Sequence, residues 1–525
     1  MQLFRNGVFL SCEDQNRVFH YLVEDKGRIV YTGDTMPPAY QNAPSVDLKG
    51  QCVVPAFADT HLHFESYALF NGTVDVRDAV DFAQMGALLR TWAESHPKAK
   101  FLPAYGCSAH TVAEGRLPER ADLDRMVSLP TLIVKYDGHA AVANSALFDQ
   151  FPSEVTSDPG CDLRTGWLSQ NAFYRGVNFI TQQVPVTSVL SGMSAAAHQL
   201  ARKGIGLLHA VEGVGYQNDI DVDSLRYMAP GLPQAIRIYF QTMDVDKVVR
   251  RKMKRIGGCF SLALDGCFGS EDAALKEPYA NNPANSGFLA YTQEEVSAFC
   301  IKANRAGLQI TMHAIGDAAV EQAVTAYEAA LADFPRPDHR HILIHGDLFP
   351  EELQKRAAKL GLCVAVQPAF LDWRQEPAEY LERILGPERA GRMLPLRSML
   401  EKGLLLSAGS DAPCTIPNPI ESIHLCVNHP NPAEAVSVED ALRMHTLWAA
   451  KTSFDEGDRG ALREGLLCDF VVLDRNPLEV PKEALRELKI QSVWFGGKMY
   501  ASSPCGAAGL ARRALTGRLF HGERQ

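Results

Sequence analysis

Short apolar segments alternate with amphipathic ones from about residue 55 to residue 455. The apolar segments have the length of buried strands, and residues 292–306, 317–334 and 350–359 have the apolar spacing of helices. Strands that alternate with helices form parallel sheets, so the pattern predicts a closed (β/α)₈ barrel of the TIM type. The predicted strands are 56–61, 101–106, 131–137, 206–211, 235–241, 259–264, 308–313, 341–345, 362–366 and 404–409. They outnumber the strands of such a barrel by two, which we expect in insertions within residues 101–265.

The two ends of the chain have a different pattern, with short strand-like runs separated by turn residues. The runs are 2–10, 18–24, 28–32, 52–54, 468–473, 490–495 and 498–501. Neither end has enough strands to bury a core alone, so we predict that both ends pair into one small composite β-sandwich. The predicted domains are therefore 1–54 with 456–525, whose last residues from 502 form a tail, and a barrel with insertions over 55–455.

Composition and charge exclude several classes of protein. The chain has 52 Lys and Arg against 62 Asp and Glu, and it contains no basic stripe that would bind nucleic acid. No apolar run is long enough to cross a membrane, and the N-terminus lacks the features of a signal peptide. Its 12 cysteines never occur as Cys-x-x-Cys, which favours free thiols in a reducing compartment. These features predict a soluble cytoplasmic protein.

Two histidines follow the first predicted barrel strand in the sequence VVPAFADTHLHFES. His61 and His63 are two residues apart, and side chains at that spacing in a strand point to the same side. Both imidazoles could therefore bind one metal ion at the mouth of a barrel. Two ordinary surface histidines would give the same pattern, so the motif alone leaves the question open.

Three further polar residues end other predicted strands. His313 follows LQITM, His345 follows RHILI, and Asp411 follows LLLSAGS. Barrel active sites gather at the carboxyl ends of the strands, where residues from different strands meet. Four histidines and one aspartate at such positions predict a hydrolytic metal site.

The sequence resembles the amidohydrolase superfamily, and within it the YtcJ-like branch (the amidohydrolase 3 family), which includes N-substituted formamide deformylases. The resemblance extends over about residues 50 to 500. The matching stretches are PAFADTHLHF, YDGHAAVANSAL, LALDGCFGSEDAAL, MHAIGDAAVE, RHILIHGDLFPEEL, SAGSDAP and GLLCDFVVLDRNPL.

This resemblance implies a barrel with a composite β-sandwich and one or two divalent metal ions, usually zinc. His61 and His63 would be the ligands of the first strand, and His313 and His345 those of strands five and six. Asp411 would bind metal and hold the proton of the attacking water. His139, in the sequence YDGH, matches a histidine that faces the site, where it either contacts the substrate or fixes the following loop.

One position departs from the pattern of the branch. The branch usually has a lysine whose carboxylated side chain bridges two metals, and this sequence has Ser261 there, which cannot form a carbamate. Either the site holds one metal, or Glu212 or Lys135 supplies the bridging oxygens. For both residues an ordinary structural role, as a solvated loop carboxylate or a paired strand-end lysine, is the alternative.

We therefore expect a metal-dependent hydrolase of non-peptide C–N bonds, acting on a small N-acyl or N-formyl amine through metal-activated water. The alternatives are a deaminase or cyclic-amide hydrolase of the same superfamily, and a barrel that has lost its chemistry. Specificity is expected to come from the loops after the strands, with Phe370, Trp373 and Tyr380 as a possible apolar wall. By analogy with the family, a homodimer is also possible.

Overall fold

The computed structural model describes residues 1–214 and 217–521, without the side chains of residues 217, 260–261 and 518–521. Its strands are β1 Gln2–Arg5, β2 Val8–Leu10, β3 Val18–Phe19, β4 Tyr21–Asp25, β5 Arg28–Gly33, β6 Ser45–Asp47, β7 Cys52–Pro55, β8 Phe57–Leu62, β9 Val74–Asp75, β10 Leu102–Cys107, β11 Thr131–Lys135, β12 Ala140–Ala143, β13 Trp167–Ser169, β14 Ile205–Glu212, β15 Ala235–Phe240, β16 Arg255–Ala263, β17 Gln309–Ala314, β18 Ile342–His345, β19 Cys363–Val366, β20 Leu405–Ala408, β21 Phe470–Leu473, β22 Ile490–Phe495 and β23 Lys498–Met499.

Helices follow most strands of the middle region. They are α1 Phe64–Phe70, α2 Phe82–Ser95, α3 Arg120–Met126, α4 Ser145–Phe148, α5 Ser153–Thr156, α6 Gln170–Thr181, α7 Val186–Arg202, α8 Ile220–Met228, α9 Val245–Arg250, α10 Gln293–Arg305, α11 Asp317–Asp333, α12 Glu351–Leu360, α13 Ala378–Leu385, α14 Pro387–Ala390, α15 Leu396–Glu401, α16 Pro419–Val427, α17 Val438–Met444, α18 Leu447–Thr452 and α19 Ala507–His521. Short 3₁₀ segments lie at Pro38–Tyr40, Gln217–Asp219, Ala229–Gly231, Phe268–Ser270, Pro368–Asp372 and Lys482–Glu487.

Eight parallel strands form the central sheet, in the order β8, β14, β15, β16, β17, β18, β19, β20. The first and last strands meet at a short parallel bridge between Leu62 and Ala412. There the Asp411 N–H donates a 2.7 Å hydrogen bond to the carbonyl of His61. The predicted (β/α)₈ barrel is confirmed, and these backbone bonds hold the ends of β8 and β20 together.

The two surplus strands belong to an insertion between β8 and β14. Predicted strands 101–106 and 131–137 are β10 and β11 of a second sheet, whose order is β13, β12, β11, β10, β9. This inserted sheet has its own apolar core, including Leu102, Ile133 and Val142, all fully buried. It therefore adds a wall beside the barrel rather than strands within it.

The ends of the chain form two further sheets. One has the order β5, β4, β1, β6, and the other has the order β23, β22, β21, β7, β2, β3. In the second, β7 near the N-terminus pairs antiparallel with β21, with Val53 opposite Val472. Side chains of both sheets share one core, in which the Phe4 ring lies 5.0 Å from those of Phe470 and Trp494. The composite sandwich expected of this fold class is thus built from both chain ends.

Two details differ from the sequence-based expectations. The predicted run 2–10 is divided between the two sheets, because Asn6 adopts a left-handed backbone (φ 55°) and ends β1. Within the predicted tail, residues 507–521 form α19, which packs on α7 and the Ala229–Gly231 turn. Leu510 and Ala514 of this helix are buried, which explains why the segment is ordered. Among the described residues, no helix is long and apolar enough to cross a bilayer.

Candidate metal centre

The residues predicted as ligands lie at the carboxyl mouth of the barrel. His61 is near the end of β8 and His63 follows that strand, whereas His313 lies on β17 and His345 ends β18. Asp411 comes shortly after β20. Because the strands are parallel, their carboxyl ends open on the same side, and all five side chains are buried there.

Short distances join these side chains. Asp411 Oδ1 lies 3.0 Å from His61 Nε2 and 3.3 Å from His63 Nε2. The ring centroid of His345 lies 5.4 Å from that of His61 and 4.5 Å from that of His313. The structure therefore brings together the four histidines and the aspartate that the sequence singled out.

Several polar atoms of this cluster have no hydrogen-bond partner among the described residues. They are Nδ1 of His61, His313 and His345, together with Asp411 Oδ1, which accepts no well-directed hydrogen bond despite its short distances to two imidazoles. Burying unsatisfied polar atoms is costly unless something else binds them. Imidazole nitrogens and a carboxylate oxygen are ligands for Zn²⁺ and similar divalent ions, so this donor set fits a metal centre.

The electrostatics of the cluster favour the metal-binding forms of His61, His345 and Asp411. Burial lowers the pKa of His61, and it lowers that of His345 well below its usual value, which keeps both imidazoles neutral. Burial also disfavours charge on His313, but hydrogen bonding to Asp265 outweighs it and raises the pKa. Burial would raise the pKa of Asp411, yet the neighbouring His61 holds it well below the usual range. Asp411 is thus ionised.

Two buried aspartates fix the positions of the candidate ligands. Asp59 accepts hydrogen bonds from the backbone N–H of Ser410, at 2.9 Å, and from the Ser410 hydroxyl, at 2.6 Å. This pair ties β8 to the segment that carries Asp411. Asp265 Oδ1 lies 3.4 Å from His313 Nε2 and accepts the N–H of Ile315, so it orients the imidazole and orders the loop after β17.

Cys259 on β16 is a candidate ligand that the sequence analysis missed. Its Sγ lies 3.2 Å from His61 Nε2 and 3.8 Å from His345 Nε2. Three groups of possible ligand atoms, each within 4.8 Å of one another, occur among the described residues: His61, His63 and Cys259; Cys259, His313 and His345; His61, His345 and Asp411. No motif marks this thiol, and only the departure at position 261 indicated that β16 is unusual.

A cavity opens directly above the cluster. Its floor includes His63, His313, His345 and Asp411, and the inserted sheet contributes Tyr105 and Val134 to a wall. His139 also lines it, with its ring 6.4 Å from that of His313. The site thus combines possible metal ligands with room for a small molecule.

Aromatic side chains cover much of the cavity wall. Phe370 and Trp373 stack with ring centroids 4.8 Å apart, and both line the cavity as the sequence suggested. Tyr380 is not among the lining residues; its hydroxyl instead donates toward the backbone carbonyls of Phe268 and Gly269. Glu376, which the sequence did not single out, lies on the same wall beside Trp373.

The two proposed substitutes for a bridging lysine lie outside the three groups of candidate ligands. Glu212 is buried at the end of β14, where its Oε1 accepts the backbone N–H of Glu65 at 3.2 Å. Lys135 Nζ lies 2.7 Å from Asp137 Oδ2 and donates to Ser270 Oγ, as an ammonium group does. The side chain of Ser261 lies outside the described residues.

A parallel eight-stranded barrel with histidines and an aspartate at its carboxyl mouth defines the metal-dependent hydrolases that use this fold. The sequence profile of the amidohydrolase family matches residues 45–501. The chain therefore belongs to the amidohydrolase family, and it is a hydrolase of that superfamily.

Relatives and a solved structure agree with this assignment. YtcJ of Bacillus subtilis (strain 168), whose name places it among the amidohydrolases, is 26% identical over 94% of this chain and 97% of its own. The N-substituted formamide deformylase of Arthrobacter pascens is 24% identical over 94% and 96%. An uncharacterized metal-dependent hydrolase from Pyrococcus furiosus superposes with a TM-score of 0.72 at 25% identity, covering 91% of this chain and all of that one.

Proposed function

We propose that this protein hydrolyses the C–N bond of a small N-acyl or N-formyl amine with a divalent metal ion, zinc. The observation that carries the proposal is the convergence of His61, His63, His313, His345 and Asp411 at the mouth of the barrel, beneath a cavity that the last four of these residues line. The relationship to an N-substituted formamide deformylase supports the choice of bond.

The lining of the cavity restricts the substrate. None of its residues that the structure describes is Lys or Arg, whereas Asp137, Asp347, Glu376 and Asp411 all contribute carboxyl groups. A substrate with its own carboxylate would find no cationic side chain among these lining residues to pair with, which costs binding energy. The aromatic wall suits an aromatic or aliphatic substituent. The amine part is therefore apolar and carries no carboxylate.

In the proposed reaction a bound divalent ion would supply Lewis-acid chemistry, and the side chains of this site would supply the rest. A divalent ion in such a site polarises a carbonyl and lowers the pKa of water from about 16 to about 7. Asp411 accepts a proton from the water whose oxygen adds to the carbonyl carbon. It returns that proton to the nitrogen as the C–N bond breaks, because amines leave poorly as anions. His139, on the cavity wall, donates a hydrogen bond to the carbonyl oxygen.

Matched pairs of substrates test this proposal on metal-loaded protein. The first pair is an N-formyl arylalkylamine and the same molecule with a carboxylate next to the nitrogen. We expect formate and amine in equal amounts from the uncharged member, and a kcat/KM at least tenfold lower for the acid, which corresponds to about 1.4 kcal/mol.

Two further compounds distinguish the alternatives. A cyclic imide reports a ring-opening hydrolase, and an amino-substituted heteroaromatic ring reports a deaminase by release of ammonia. Activity on either compound alone would replace the proposed substrate class. A well-folded protein that binds no metal and hydrolyses none of the compounds would identify a barrel without catalytic chemistry.

A further inference from the structure

Cys259 occupies a particular place among the candidate ligands. One group joins it to His61 and His63, and a second joins it to His313 and His345. Cys259 is the residue that these two groups have in common. Its thiol thus lies between two pairs of histidines that come from opposite parts of the barrel wall.

The backbone of β16 explains why the thiol points into the mouth. Gly257 and Gly258 have φ values of 105° and 156°, in the region that favours glycine. The pairing of β16 with β17 is interrupted between Gly258 and Ala263, so the strand bulges directly after the glycines. Cys259 begins this bulge, and its side chain is 5% exposed while still lining the cavity.

The spacing of the ligand atoms agrees with metal coordination. Zinc binds sulfur at about 2.3 Å and imidazole nitrogen at about 2.0 Å, so two such ligands on a tetrahedral ion lie roughly 3.5 Å apart. The distances from Cys259 Sγ to Nε2 of His61 and of His345 are 3.2 and 3.8 Å. One sulfur therefore lies at ligand spacing from a histidine of each pair.

We propose that Cys259 binds as a thiolate and bridges two divalent ions, one held by His61 and His63 and the other by His313 and His345. The thiol proton passes to solvent as the two metal–sulfur bonds form. The thiolate supplies the single negative charge that a bridging carbamate would supply in its place. The inference rests on the proposed function only in assuming that the site binds metal.

The other groups considered for the bridge are engaged elsewhere. Glu212 accepts a backbone hydrogen bond from Glu65, and Lys135 is paired with Asp137. The unpartnered Nδ1 of His313, buried at the second pair, is an independent sign that this side of the cluster binds a ligand. The described residues thus offer the sulfur as the shared donor.

X-ray absorption at the zinc edge tests the inference without using activity. We expect wild-type protein loaded with zinc to contain two ions per chain and to show a zinc–sulfur shell at about 2.3 Å. Cys259→Ser should lose this shell and fall to about one ion per chain. In the cobalt-loaded wild type, a sulfur-to-cobalt charge-transfer band should be present, and the same variant should lack it.

Cys363→Ser is the matched control. Cys363 is another buried cysteine on a barrel strand, and it shares an apolar cluster with Cys259 but belongs to none of the ligand groups. It should retain two ions and the sulfur shell. Circular dichroism checks that both variants fold. If either does not, the zinc-edge absorption and the metal content of the wild-type protein decide whether sulfur binds two ions.

The possible failures are distinguishable. Wild-type protein that binds metal without a sulfur shell, or Cys259→Ser that keeps the shell, would overturn the thiolate bridge and leave the proposed hydrolase intact. A sulfur shell with one ion per chain would show that Cys259 binds metal but does not bridge two ions. Protein that binds no divalent metal would overturn the proposed function and the bridge together.

Discussion

At the scale of single residues, the proposed function gives one carboxylate, that of Asp411, two tasks, metal binding and proton transfer. Its Oδ1 lies within 3.3 Å of two imidazoles, and the residue also lines the cavity where substrate would bind. Its backbone is left-handed (φ 55°), a conformation that costs about 1–3 kcal/mol in a non-glycine residue and persists only where the surroundings fix it. The hydrogen bonds that Asp59 accepts from the backbone N–H and hydroxyl of Ser410 supply that support.

Asp411→Asn should separate the two tasks. The amide keeps the shape and one oxygen ligand but cannot hold a proton, so we expect metal content to stay near that of the wild type while kcat falls by about 10²–10⁴-fold. Metal analysis and steady-state kinetics on the same preparation measure both. Asp338→Asn, at an exposed ion pair, should change neither. Full activity of Asp411→Asn would remove the proton-transfer role.

Sequence alone was sufficient for some of these residues and not for others. His61, His63, His313, His345 and Asp411 were recognisable because each lies at or just after the end of an apolar run, and the structure brings them together; their roles stay predictions. Cys259 was not recognisable, since one cysteine in a strand is usually a core residue. The bulge after Gly258 points the Cys259 side chain toward the site, and the regular alternation of a strand does not predict bulges.

At the scale of elements, closure of the barrel depends on the close approach of β20 to β8. Gly409 lies so near to His61 that an added Cβ would be 2.4 Å from the His61 backbone nitrogen. No side chain fits without moving one strand, and moving β20 would carry Asp411 away from His61. The same contact therefore shapes the fold and the candidate metal centre.

Gly409→Ala should lower the free energy of unfolding by about 1–3 kcal/mol, as overpacking does. We also expect it to reduce metal content. Gly457→Ala is the control, since nothing lies within 4 Å of its added Cβ. Denaturant titration and metal analysis make the comparison. Equal free energies of unfolding for the two variants would contradict the prediction, because they would show that β8 and β20 can move apart without cost.

Glu376 links the segment after β19 to the inserted sheet, through the hydroxyl of Tyr136, 3.3 Å away. Burial, aided by the charge of Asp137, raises the pKa of Glu376 from 4.5 to about 8. Between these values the unfolded chain loses this proton and the folded protein keeps it. The folded state therefore loses stability as pH rises through this range.

Glu376→Gln removes this titration and keeps the contact with Tyr136. We expect the stability of the wild type relative to Glu376→Gln to fall from about pH 5 to about pH 8, by a few kcal/mol at most. Denaturant unfolding of metal-saturated proteins at several pH values measures the difference. A difference that is flat or rises with pH would show that Glu376 is ionised in the folded protein.

Element boundaries show what periodicity can and cannot supply. The three helices predicted at 292–306, 317–334 and 350–359 became α10, α11 and α12 with ends shifted by at most one residue. Which two of the ten strands left the barrel was not predictable, because β10 and β11 are as apolar as barrel strands. Only their pairing partners, which are not encoded locally, distinguish them.

At the scale of the whole molecule, the composite sandwich joins both ends of the chain beside the barrel. The Phe470 side chain is fully buried between the sheets, 5.0 Å from the Phe4 ring and 5.6 Å from that of Trp494. Apart from these contacts, β21 pairs with β7 along its full length. The sandwich therefore stabilises the chain at a distance from the candidate metal centre.

Phe470→Ala should destabilise the protein by about 3–5 kcal/mol, the usual cost of emptying a buried aromatic site. Metal content measured well below the unfolding temperature should stay at the wild-type value. Phe334→Ala provides the control, because Phe334 is 48% exposed and its loss should cost less than about 0.5 kcal/mol. Thermal unfolding of the three proteins checks this, and similar midpoints would contradict the prediction.

The pairing of β7 with β21 also sets an order of events during synthesis. Residues 52–55 leave the ribosome early, but residues 470–473, which complete their sheet, are made near the end. At ordinary translation rates the early strand waits on the order of tens of seconds with an unsatisfied edge. The barrel has time to form before the two ends meet, so the nascent N-terminal segment is where chaperone binding is most needed.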